Sequence, residues 1–74
     1  MAIGFAPGAE SDVERLRSAY KSLNDVARNL ANVARCVKSQ DMRMAEHHLR
    51  AAEWHLAQAK QNIAGVGQSI RKSL

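Results

Sequence analysis

Three histidines, His47, His48 and His55, one cysteine, Cys36, and the carboxylates Glu46 and Glu53 are the side chains in this sequence best suited to metal or nucleophilic chemistry. Two metal ligands on one helix converge when they are three or four residues apart. His48 and His55 are seven apart, about 10.5 Å along a helix, and His47 points about 100° away from His48. No Glu-x-x-His pair accompanies them. The histidines therefore read as surface residues, and the sequence calls for no metal and no cofactor. Cys36 falls near the C-terminal end of a helix, where the dipole disfavours a thiolate. Glu46 and Glu53 are each spaced to meet Arg50 rather than to share a proton, and no glycine-rich phosphate loop follows a strand. With no catalytic constellation, the chain is expected not to be an enzyme.

Two features remain that suit binding. Lys21, Arg28 and Arg35 recur at intervals of seven, with a sparser row of Arg43, Arg50 and Arg71, so candidate anion-binding residues are Lys21, Arg28, Arg35, Arg43 and Arg50. Such rows suit a nucleic-acid backbone or a phosphorylated ligand, or are simply solvated helix faces; no aromatics interleave with them for base stacking. The single tryptophan, Trp54, falls opposite the main apolar stripe of its helix, on a patch with Met44, His47, Ala51 and Gln58. Tryptophan and methionine are enriched where partners dock, so this patch is expected to be covered by another chain.

The elements that position these residues follow from periodicity. Residues 1–10 hold Gly4, Pro7 and Gly8 among isolated apolar side chains and read as a flexible arm. Ser11 and Glu14 have capping-box spacing and open helix 1, expected over 11–38. Val13, Leu16, Tyr20, Leu23, Ala27, Leu30, Ala34 and Val37 alternate at threes and fours, a heptad series predicted to form the seam with a second helix. Residues 39–41 form the turn, with Asp41 as N-cap, and helix 2 is expected over about 42–70. There Met42, Leu49, Leu56, Ile63 and Ile70 alternate with the small column Ala45, Ala52 and Ala59, which permits close approach of the two backbones. An antiparallel alignment about Gln40 sets Leu30 near Leu49 and Ala52, and Tyr20 near Ala59 and Ile63.

The fold class is thus all-α, an antiparallel helical hairpin. Two helices bury one stripe each and leave their flanks wet. Ala19, Val26 and Val33 widen the apolar face of helix 1 beyond what one partner covers, so dimerisation into a four-helix bundle, or a higher oligomer, is expected, with these three residues at the oligomer interface. A lone cysteine cannot form an intrachain disulfide, and no apolar run approaches the ~18 residues of a membrane span, so a cytoplasmic protein that does not enter the membrane is expected. The net charge of +4 favours encounter with anionic partners without defining one.

The segments "DVARNL" (25–30) and "MAEHHLRAAEW" (44–54), within Leu23 to Lys60, are similar to a phage-encoded family of small helical hairpins that sequester the cyclic-nucleotide signals of bacterial defence. The resemblance implies a helical hairpin and a cyclic nucleotide as ligand class, and it assigns no binding residue. Three functions are consistent with the sequence. One is a non-enzymatic protein-binding module, such as a phage or mobile-element inhibitor of a host protein; the others are a binder of nucleic acid or another anionic ligand, and a purely structural bundle.

Overall fold

The computed structural model describes residues 9–74, so the expected arm lies outside the described residues over positions 1–8. Helix α1 spans Ala9–Lys38 and α2 spans Met42–Ser73. The two pack against each other as a hairpin, and there is no strand among the described residues. The start of α1 corrects the expected capping box. Ala9 and Glu10 are already helical, so Ser11 lies inside the first turn and the Glu14 carboxylate takes Arg17 at 3.5 Å. Glu10 and Asp12 place negative charge at the positive end of the dipole, which extends the helix past the serine.

The turn is built from local hydrogen bonds. Gln40 adopts φ 63°, the left-handed region that a side chain disfavours by roughly 1–2 kcal/mol. That conformation lets the Asp41 N–H donate to the Cys36 carbonyl at 2.8 Å and the Gln40 N–H to the Val37 carbonyl at 3.0 Å, the paired bonds of a Schellman ending. Asp41 then caps α2 as expected, its carboxylate accepting from the Met44 N–H at 3.2 Å. At the far end α2 runs on through Gly65 and Gly67 to Ser73, three residues beyond the expected limit. Arg71 and Lys72 in its last turn suit the negative end of the dipole.

The register across the hairpin is the one expected about Gln40. Asp25 faces His55, Arg15 lies over Gly65, and Asp12 reaches Ser69. The rotation of α1 is not the expected one. The buried residues are small: Ala19 from α1, and Ala45, Ala52, Ala59 and Val66 from α2, with Val26 and Val33 half-buried in the Ala19 column. The heptad series read as the seam stands outside it. Val13, Leu16, Leu23, Leu30 and Val37 from α1 and Met42, Leu49, Leu56, Ile63 and Ile70 from α2 remain 40–57% exposed, and Tyr20 is 70% exposed. Small columns on both helices pack at close range, whereas leucines in the seam would hold the backbones apart. Ala19, Val26 and Val33, expected at an oligomer interface, therefore line the contact between α1 and α2.

Candidate interaction surfaces

Seating the small columns together gives the hairpin two unlike faces. In α1 the column Leu16, Leu23, Leu30 and Val37 lies about 50° to one side of Ala19, Val26 and Val33, and Val13, Tyr20, Ala27 and Ala34 lie about 100° to that side. In α2 Met42, Leu49, Leu56, Ile63 and Ile70 lie about 50° to the corresponding side of Ala45, Ala52 and Ala59, with Glu46, Glu53, Lys60 and Gly67 next to them. Because the helices are antiparallel, rotation in the same sense about each leads to the same face. These eleven large apolar side chains therefore share one surface, and among the described residues no side chain larger than valine is buried.

The opposite face is polar. Ser22 and Asn29 of α1 and His48, His55, Asn62 and Ser69 of α2 flank the seam there, all half-buried. Asp12 Oδ1 accepts from Arg15 Nη1 at 3.0 Å and from Ser69 Oγ at 3.2 Å, tying the start of α1 to the end of α2. The Arg15 side chain crosses close above Gly65, where a Cβ would meet its Cδ at 3.3 Å, so this glycine makes room for the clasp. Asp25 binds Arg28 Nη1 at 3.4 Å and faces His55 Nδ1 at 3.7 Å, a charge pairing when the imidazole is protonated. Asn29 Nδ2 and Asn62 Nδ2 donate back to the carbonyls of Asp25 and Gln58 in their own helices, at 2.8 and 3.1 Å.

An open cleft of about 320 Å³ runs along this face, lined by Ser18, Lys21, Ser22 and Asp25 on one side and Trp54, His55, Gln58 and Asn62 on the other. Trp54 stands on the rim, 61% exposed, its ring edge-on to His55 at 5.1 Å between centroids. Of its expected neighbours, Gln58 joins it in the cleft, Ala51 is half-buried, and Met44 and His47 are exposed. The His47 ring meets His48 edge-on at 5.5 Å. The expected anion-binding residues separate. Lys21 lines the cleft, Arg28 and Arg50 are held by Asp25 and Glu46, at 3.4 and 3.2 Å, and Arg35 and Arg43 are exposed.

No three of the histidine, cysteine, aspartate and glutamate side chains stand together as a metal site among the described residues, and Cys36 is a half-buried free thiol. No described helix is long and apolar enough to cross a membrane. The polar cleft escapes sequence reading because its two walls come from different helices. A signal for the true seam was present, since Ala19, Val26 and Val33 match the small column of α2 in size. Compared with family models, curated proteins and solved structures, the chain matches none. The fold and its two surfaces define an amphipathic helical hairpin.

Proposed function

We propose that this protein is a self-assembling interaction module that acts by association rather than catalysis. Two hairpins close their apolar faces on one another as a four-helix bundle, and the polar faces, each with its Trp54 rim, point outward to meet a protein partner. The observation that carries the reading is the single face of eleven large apolar side chains, exposed by 40% or more, where the core among the described residues is four alanines and a valine. Full burial of one such side chain is worth about 1.5–3 kcal/mol, so the half left uncovered holds about 1 kcal/mol each. Two copies together hold roughly 20 kcal/mol, against an association cost of about 4–15 kcal/mol. Sedimentation equilibrium tests this directly, with an expected mass of at least twice 8.1 kDa. A fully helical 8.1 kDa species at micromolar concentration refutes it.

A second reading is an anionic ligand, either a cyclic nucleotide, as the family resemblance implies, or a nucleic acid. The placement of Lys21 and the exposed Trp54 ring on the same cleft supports it. Salt separates the two, because contacts to phosphate weaken steeply with ionic strength and apolar docking does not.

A further inference from the structure

We infer that the apolar face is covered by a second copy of this chain laid with α1 across its counterpart α1 and α2 across its counterpart α2, each pair antiparallel. The inference rests on the dimer proposed above and specifies its geometry. Two hairpins stacked face to face are related by a two-fold axis lying between the layers, running either along the helices or across them. An axis along the helices sets α1 over α2 of the second copy. An axis across them sets each helix over itself.

The hairpin register permits the second arrangement with one axis for both helices. Asp25 is level with His55 and Arg15 with Gly65, so the step between residues 23 and 24 is level with that between 56 and 57. An axis through both steps brings Leu23 to Leu23 and Leu56 to Leu56 of the second copy. It also brings Leu16 to Leu30, Leu49 to Ile63 and Met42 to Ile70. In the next column of α1, Tyr20 meets Ala27 and Val13 meets Ala34, a large side chain over a small one at each contact. In the next column of α2, Glu53 meets Lys60, a charge pair made twice in each dimer, and Glu46 meets Gly67, which leaves room for its side chain. At the outer edge Glu10 meets Lys38.

The alternative axis is poorer on the same residues. It sets Glu53 over Ala27 and Glu46 over Ala34, leaving two carboxylates against methyl groups, sets Lys60 over Tyr20, and brings Lys38 beside Arg43. Like charges in juxtaposition disfavour an interface. The inner pair of the α2 column, Glu53 and Lys60, is charge-complementary about its own midpoint. It is not complementary to the apolar column Val13, Tyr20, Ala27 and Ala34.

Crosslinking tests the geometry. Asn24 and Ala57 are exposed, lie beside the axis steps, and tolerate cysteine without disturbing the seam. In a Cys36→Ser background, Asn24→Cys alone and Ala57→Cys alone are each treated with a short bismaleimide and run on a denaturing gel, beside the two variants co-refolded. Self-over-self packing predicts that each single variant shifts to twice 8.1 kDa. Crosslinking only in the co-refolded mixture overturns this geometry and leaves the dimer standing, as does a sedimenting dimer that crosslinks in neither. A chain that sediments at 8.1 kDa overturns the dimer itself, and this inference with it.

Discussion

Leu56→Ala is the most direct perturbation of the apolar face. Within one hairpin Leu56 is 43% exposed, so more than half of its side chain is already covered by its own chain, and the proposed dimer would cover the rest. Truncating a fully buried leucine to alanine costs about 2–5 kcal/mol, and the uncovered share is then about 1–2 kcal/mol per copy. Symmetry counts it twice, giving about 2–4 kcal/mol per dimer, or a Kd raised roughly 30- to 700-fold. The remaining share falls on the hairpin itself. Sedimentation equilibrium over a concentration series reads the Kd, and circular dichroism on the same samples reports whether the released hairpins keep their helices. Gln61→Ala on the back of α2 serves as the control, with no change in Kd expected. A Leu56→Ala protein that dimerises as tightly as the parent refutes the assignment of this face to self-association.

Further outcomes follow from the seam, the turn and the cleft. Ala59 is 0% exposed between the helices, so Ala59→Leu overpacks the seam and lowers stability by about 1–3 kcal/mol in urea titration; an unchanged midpoint contradicts the close approach at this column. Gln40→Gly relieves the left-handed backbone and raises stability by about 1 kcal/mol, whereas Asp41→Ala removes the cap of α2 and lowers it by about 1 kcal/mol, both read from thermal melts. Trp54→Ala leaves stability within about 0.5 kcal/mol and leaves the dimer Kd unchanged, since the ring is 61% exposed on the face away from the leucines. Dissociation of the dimer by this change would assign the tryptophan, and not the leucine face, to self-association.

The proposed function divides between two surfaces. Close packing of alanine columns brings the helices together while adding little apolar burial, so the proposed dimer would couple hairpin stability to covering the leucine face. The proposed dimer would link assembly to folding by mass action, and the melting temperature is then expected to rise with protein concentration. In the proposed dimer the polar face takes no part in that linkage. Its asparagines bond back into their own helices, and its charges are paired at Asp12 with Arg15 and Asp25 with Arg28. Trp54 and Lys21 remain presented on the rim and wall of the cleft.

Local physics made much of this legible in the residues alone. The alternating spacing of apolar positions requires two long helices, the three residues between them require an antiparallel return, and Asp41 caps α2 because its side chain reaches a backbone donor three residues away. Exposure of Trp54 follows from its place opposite the alanine column. The first turn of α1 was less legible, since Ala9 and Glu10 are good helix formers ahead of Ser11, and a capping-box spacing inside a helix looks the same in sequence as one at its start.

What only the tertiary structure decided was the rotation of α1. Its apolar positions span a stripe from Ala19, Val26 and Val33 through Leu16, Leu23 and Leu30 to Val13, Tyr20 and Ala27, wider than one neighbour covers. A heptad repeat states the period of packing and leaves its phase open. The phase is set by the fit between two surfaces: the alanines of α2 seat best against the smallest residues of α1, which turns every leucine of both helices outward onto one face. The polar cleft arises from the same choice, because Ser22 and His55 become neighbours only once the helices dock in that rotation.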